Sequence, residues 1–322
     1  MNKILNSLLL GLIATGIASA QECGQVSDQP LRVGVLPVMN TMPLYVAAQQ
    51  GFYDQHGLNV ELVPVESARD RSIGLQTGQL DVGNNDVMGA VLQVASGDEL
   101  KIVRHDSFAA GVPFFSIVTS AESGLDTVEK LIAALEADTA QVAIGHNTVT
   151  EYMAYRMLQD AGYEPEADDW LEVSAIPLRL EQMAQGLVAA ALLPEPLTTL
   201  AVNEQGATAV LQDSDVEFVP VALTVTQAAI DQRPADICAF LAAYQQAVAA
   251  INADPEAYRH MDELRIPAPI LDTYAVPTFS EPHVPTEAEI ALVQDWMAAV
   301  GMVSEPVPYG DLVYGAFVPG GN

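Results

Sequence analysis

Polar side chains able to hold a small solute recur where a β-rich run gives way to a helical pattern. Asn40 and Thr41 follow the first such run, and Asn84, Asn85 and Asp86 follow a later one. Asn147 and Thr148 stand at a third, with Thr150 and Glu151 one turn further on, and Arg179 at a fourth. Backbone N–H groups left free at a helix start attract an anion or a carbonyl oxygen. Asn and Thr side chains add donors and acceptors that fix orientation. These residue types are also ordinary helix caps, so each position carries two compatible readings. Arg179 brings a guanidinium that can grip a sulfonate or carboxylate through two parallel hydrogen bonds; its alternative is a surface ion pair with Glu181 or Glu151. Glu195 stands between Pro194 and Pro196, where it either accepts hydrogen bonds from a ligand amine or hinge amide, or fixes a loop. Asp86, Glu151 and Glu195 suit N–H donors and Arg179 suits an anion, which together describe an organic solute bearing both kinds of group. Tyr45, Phe114, Phe115, Tyr152 and Trp170 are candidates for a stacking wall, although aromatic residues at helical spacing usually belong to a core.

Covalent chemistry finds little support in the chain. It carries no nucleophile elbow, phosphate loop or dinucleotide glycine pattern. The five histidines, His56, His105, His146, His260 and His283, have no metal-ligand spacing among them. The expectation is therefore a binding protein rather than an enzyme, with no cofactor and no metal.

The elements that must position these residues follow from hydrophobic patterning. A β-rich run at 31–36 ends at Pro37, a helix follows at 43–50, and 58–63 alternates as a half-buried strand does. A helical stretch at 69–76 leads into a strand at 80–83 and a further helix at 87–95. The pattern then restarts, with strands at 114–119, 141–145, 171–176 and 189–193 and helices at 127–137, 148–161 and 178–185. A last β-run at 219–225 precedes a long helix at 234–252, opened by Pro234. Strands alternating with helices through short connections predict an α/β fold, each half a mainly parallel sheet flanked by helices. The β-runs near 114–119 and 219–225 are read as two crossovers. On that reading the first lobe comprises 31–113 plus 224–322 and the second 114–223. Ligands of open parallel sheets bind beyond the carboxyl ends of the strands, so facing lobes would trap a solute between them, with the crossovers as hinge.

Several of these segments resemble a known family. Leu31-Arg32-Val33-Gly34, then Pro43-Leu44-Tyr45 leading to Gln50-Gly51-Phe52-Tyr53, looks like its opening motif. His56-Gly57-Leu58, Leu75-Gln76-Thr77-Gly78-Gln79-Leu80-Asp81, Gln185-Gly186 and Pro194-Glu195-Pro196 follow in family order. The chain is thus similar, over about residues 31–250, to the periplasmic solute-binding proteins of ABC importers for nitrate, alkanesulfonates, taurine and thiamine-related pyrimidines, whose fold the fungal thiamine-pyrimidine synthase shares. The resemblance implies a two-lobed periplasmic-binding-protein fold of type II and a partnership with ABC permease subunits. Members of the family differ in what they carry; it is the mix of acids with Arg179 that tilts the expected solute towards an organic one bearing both kinds of group, such as an aminopyrimidine or an aminosulfonate. A signalling receptor docking on a membrane sensor is the alternative role. The synthase reading is disfavoured, because that enzyme relies on a cofactor-bearing lysine and a clustered cysteine motif. Here Lys101 and Lys130 are the only lysines after the leader, and the cysteines are not clustered.

Residues 1–20 read as a secretory signal: Lys3 gives the positive start, an apolar run follows, and Ala18-Ser19-Ala20 is a small-residue cleavage site. A periplasmic or extracellular monomer is expected. Export would permit Cys23 and Cys238 to pair, though nothing in the sequence brings them together. Against 42 acidic residues stand only 12 basic ones, a net charge of −30. Nucleic acid, which needs clustered Lys and Arg, is excluded as a partner. The acids are scattered, which describes a solvated surface suited to a saline exterior where salt screens self-repulsion.

Overall fold

Among the described residues, ten short strands carry the β-branched and alanine-rich runs: β1 Leu31–Val35, β2 Val60–Pro64, β3 Val82–Asp86, β4 Leu100–His105, β5 Phe115–Thr119, β6 Val142–Ile144, β7 Trp170–Glu172, β8 Ala190–Pro194, β9 Thr208–Gln212 and β10 Val221–Thr226. Twelve helices among the same residues pack around them: α1 Met42–Gln49, α2 Phe52–Gln55, α3 Ala68–Gln76, α4 Val87–Ala95, α5 Val128–Glu136, α6 Val149–Asp160, α7 Ile176–Ala184, α8 Leu197–Gln205, α9 Gln227–Gln232, α10 Pro234–Ala253, α11 Glu287–Ala299 and α12 Tyr309–Leu312. This is a computed structural model, and it describes residues 23–109, 111–260 and 266–317. The signal segment 1–20 lies outside the described residues.

The strands form two five-stranded sheets, ordered β2-β1-β3-β10-β4 and β7-β6-β8-β5-β9. In the first, β1 runs parallel to β2 and β3, while β10 is antiparallel to both β3 and β4. In the second, β6 runs parallel to β7 and β8, while β5 is antiparallel to β8 and β9. The molecule is a two-lobed α/β protein of the periplasmic-binding-protein fold. The chain leaves the first sheet after β4 and returns to it as β10. Each reversed strand is the one the chain lays down on arriving from the other lobe.

Both faces of these sheets are covered, which is why the central strands read as apolar runs. Leu31, Val33, Val82, Ile102, Leu223 and Val225 of the first sheet and Ile117, Val142, Ile144 and Leu192 of the second belong to one continuous core, while Val118, Ala143, Ala191 and Leu193 join a smaller one with Leu180 and Met183 of α7. Some boundaries differ from the sequence reading. The strand expected at 80–83 occupies Val82–Asp86 and so includes Asn84, Asn85 and Asp86, a run of low β propensity. Pairing with β1 and β10 on both sides overrides that propensity. Ile176-Pro177 begins α7 instead of ending a strand, because proline's fixed φ suits a first helical turn. Strands β4 and β9 were not legible in the pattern.

Cys23 and Cys238 form a disulfide that ties the first described residues to α10. Beyond α10 the chain runs back along the first lobe. Ala109 donates its N–H to Thr278 O and Ser280 donates to Ser107 O, and α11 packs on α4. From α11, Trp296 reaches the second lobe, its ring lying 5.1 Å from that of Tyr152 on α6.

Candidate ligand-binding cleft

Between the carboxyl ends of β1 and β3 on one side and β6 and β8 on the other lies a cleft of about 510 Å³. The first-lobe wall is organised by buried Asp106. Asn40, in a 3-10 turn that joins β1 to α1, donates Nδ2 to Asp106 O (3.0 Å) and Oδ2 (3.3 Å). Asn84 donates its own Nδ2 to Asp106 Oδ2 at 2.9 Å. A carbonyl and a carboxylate accept only, so both amides are held with the carbonyl end turned away from Asp106. Asn40 Oδ1 is buried with no partner among the described residues. Tyr244 donates its hydroxyl to Asp106 from α10, and Arg104 lies 4.9 Å from the Tyr244 ring centre. Burial raises the Asp106 carboxyl to about 6, against the pull of Tyr244, Arg104 and Asn84.

Beside them, Arg71 of α3 pairs with Asp86 at 3.2 Å, both side chains 2% exposed, and donates Nη1 to Asn84 O at 3.0 Å. Asp86 also accepts the Gly89 N–H at 2.7 Å and so caps α4. Asn85 lines the cleft, but its amide is consumed by the fold. Nδ2 goes to Thr224 Oγ1 (3.1 Å) and Oδ1 accepts the Asp86 N–H (2.8 Å).

The second-lobe wall is the turn from β6 into α6. Asn147 adopts a left-handed φ of 59°, a region that Asn enters more readily than most residues, and its N–H reaches Glu151 Oε2 at 2.6 Å. Thr148 caps α6 through the Thr150 N–H, and Thr150 Oγ1 accepts the Gly145 N–H at 2.9 Å. Glu151 also pairs with His146, at 3.3 Å.

Arg179 of α7 closes this wall, 2% exposed. It donates Nε to Val173 O (2.8 Å), Nη1 to Leu192 O (3.3 Å) and Nη2 to Ser174 O (3.5 Å). Among the described residues it makes no ion pair, to Glu181, Glu151 or any other acid. Three of its five N–H groups are used, and the charge remains uncompensated by a contacting carboxylate. Burial lowers its pKa to about 10, partly offset by Glu172, so the group is still charged at neutral pH. Glu172 itself accepts from His146 N–H (2.6 Å) and the Ser174 hydroxyl. A Cβ on Gly145 would stand 2.8 Å from Arg179 Nη2, so a side chain there would push the guanidinium from its place.

The cleft thus gathers Asn40, Asn84, Asn85, Asp86, Asn147, Thr148, Thr150 and Arg179. Thr41 and Glu195 are not among its lining residues. The Thr41 hydroxyl donates to Val38 O at 2.7 Å and holds the turn behind Asn40. Glu195 accepts from the Thr199 hydroxyl at 2.8 Å. Its backbone joins the lobes, with Met39 N–H donating to Glu195 O and Glu195 N–H to Phe114 O. Of the aromatic candidates, Phe114 and Phe115 line the cleft, whereas Tyr152 and Trp170 are core and Tyr45 packs against it. Sequence reasoning missed Arg71, Glu172 and Ser174. For Arg71 one signal existed: it shares a helix face with Gly74 and Leu75, three and four positions on, and that face is the buried one.

Solved structures share this architecture at low sequence identity. The ligand-binding component of an ABC-type import system from Staphylococcus aureus, with zinc bound, gives a TM-score of 0.76 at 15% identity, covering 91% of this chain and 99% of that one. The alkanesulfonate-binding protein SsuA of Xanthomonas axonopodis pv. citri, bound to MOPS, gives 0.73 at 16% identity, over 89% and 98% of the two chains. The periplasmic nitrate-binding protein NrtA of Synechocystis PCC 6803 gives 0.63 at 16%, over 81% and 74%. Among curated protein sequences none matches. Residues 24–264, which contain both sheets and the whole cleft, match the NMT1-like family, and the chain belongs to that family.

Proposed function

We propose that the protein is the extracytoplasmic receptor of an ABC importer, which captures a small organic solute between its lobes and delivers it to a membrane permease. The observation that carries this reading is Arg179, a buried cation without a carboxylate partner among the described residues, in a cleft between two sets of strand ends. Its spare N–H groups suit a sulfonate or carboxylate. The facing wall supplies acceptors, chiefly the unpartnered Asn40 Oδ1, for a solute N–H. An aminosulfonate carries both groups and fits this pair of walls; an aminopyrimidine fits the acceptor wall and needs an attached anionic group to engage Arg179. Export through the leader at 1–20, cleaved after Ala20, accords with this role.

Capture requires no covalent step. The solute contacts both walls only when the lobes approach, so it favours the closed form by its differential affinity. The chain crossings beside Phe114 and Val221 provide the hinge, and the closed shape is what a permease would read.

The test is native mass spectrometry of the mature protein from its own host, followed by a thermal-shift screen with taurine, alkanesulfonates, nitrate, bicarbonate, thiamine and aminopyrimidine precursors. A co-purified mass or one stabilising compound identifies the solute. Arg179→Gln should then weaken its binding at least about tenfold, as loss of a charge-assisted contact does. Equal affinity in the variant would refute the assignment.

A further inference from the structure

The two lobes repeat one structural unit, and the repeat differs at a charge. Helices α3 and α7 are both nine residues long, and β3 and β8, which follow them, are both five. One constant offset along the chain superposes them: Ala68 on Ile176, Gln76 on Ala184, Val82 on Ala190. Gly78 and Gly186 match in the turn between, each with a φ of 68°. The turn's hydrogen bonds match as well: Gln79 N–H donates to Gly74 O, and Leu187 N–H to Gln182 O.

In that register Arg71 coincides with Arg179, and each donates Nη1 to the third residue of its strand, Asn84 O at 3.0 Å and Leu192 O at 3.3 Å. Both guanidinium groups are buried and both line the cleft. The last strand residue is where the units part. In the first lobe it is Asp86, whose carboxylate lies 3.2 Å from Arg71. In the second it is Pro194, which has no charge to offer.

We infer that this repeat polarises the cleft, so that it takes a solute with a single anionic group seated against Arg179, and that Asp86 is the specificity-determining residue that excludes a second. The inference rests on the reading of the cleft as the solute site. A second anionic group placed at the first-lobe wall would meet a carboxylate already satisfying Arg71, and in a buried site like charges repel strongly. A surface carrying a net charge of −30 adds to the bias against dianions by its overall field.

The experiment measures affinity at constant ionic strength for the monoanions ethanesulfonate and butyrate against the dianions 1,2-ethanedisulfonate, succinate and glutarate. Wild type should favour the monoanions. Asp86→Asn keeps the cap oxygen for Gly89 but loses the charge, and it should shift the dianion-to-monoanion preference by about tenfold towards the dianions. Pro194→Asp, which restores the carboxylate at the matching place, should abolish monoanion binding while circular dichroism shows the fold retained. An unchanged preference in Asp86→Asn overturns the inference, and if that variant does not fold, the wild-type preference and Pro194→Asp decide it. Wild type that binds none of the anions overturns it too, while the receptor reading would still be judged separately by the co-purified solute.

Discussion

Asp106 shows how one buried side chain can set a binding wall. It fixes the amides of Asn40 and Asn84 and takes a hydrogen bond from Tyr244. Its carboxyl is held at about 6 by burial, as is that of Asp213. An acid whose folded pKa lies above its unfolded value, near 4, binds its proton more tightly when folded. The associated stability is therefore present at low pH and is lost as pH rises from about 4 through 6. Acidifying from pH 7 to 5 should add about 1 kcal/mol of stability through Asp106, while buried His105, whose pKa burial lowers to about 4, works in the opposite sense over the same window. Urea denaturation at the two pH values would check this: in Asp106→Asn the gain should shrink, and an undiminished gain would count against it. Asp236, whose pKa is lowered by hydrogen bonds from Ser27 and Arg233 despite its burial, works in the opposite sense below pH 4. The sequence named Asn40 and Asn84 but not Asp106, because nothing local marks an Asp immediately after a strand's basic end as their common partner.

At the scale of elements, the turn into α6 carries the sharpest constraint. Asn147 must hold a left-handed φ of 59° so that its N–H faces Glu151. A β-branched residue there should cost about 1–2 kcal/mol, whereas Asn147→Gly should be nearly neutral. Thermal melts of Asn147→Val and Asn147→Gly would separate the two, and equal losses would remove backbone strain as the reason. The caps were legible in the sequence: Thr148 before α6 and Asp86 before α4 stand where capping residues should. What local pattern obscured was strand length. Val82–Asp86 reads as a strand only when β10 arrives to pair with it from far along the chain.

For the whole molecule, specific contacts span the lobes. Met39 N–H donates to Glu195 O across the junction, and Trp296 from α11 stacks edge-on against Tyr152 of α6, whose first turn borders the cleft. Saturating solute should reduce the radius of gyration in small-angle scattering and alter Trp296 fluorescence, with Trp170→Phe used to isolate the signal. An unchanged radius at saturation would exclude closure as the mechanism.

Local chemistry determined the strand–helix alternation, the caps at the strand ends and the placement of Asn, Thr and Arg where strands give way to helices. These follow from periodicity and backbone hydrogen bonding, which act over a few residues. The pairing of Cys23 with Cys238, the service of Asn85 to the fold and the placement of Thr41 and Glu195 outside the cleft needed tertiary contacts. So did the presence or absence of a contacting countercharge at the two arginines. Arg71 and Arg179 occupy equivalent turns of equivalent helices, and their difference lies at the end of a neighbouring strand, where one lobe has Asp86 and the other Pro194. Burial and the distance to a countercharge decide whether a cation is free to bind, and only the folded chain fixes either.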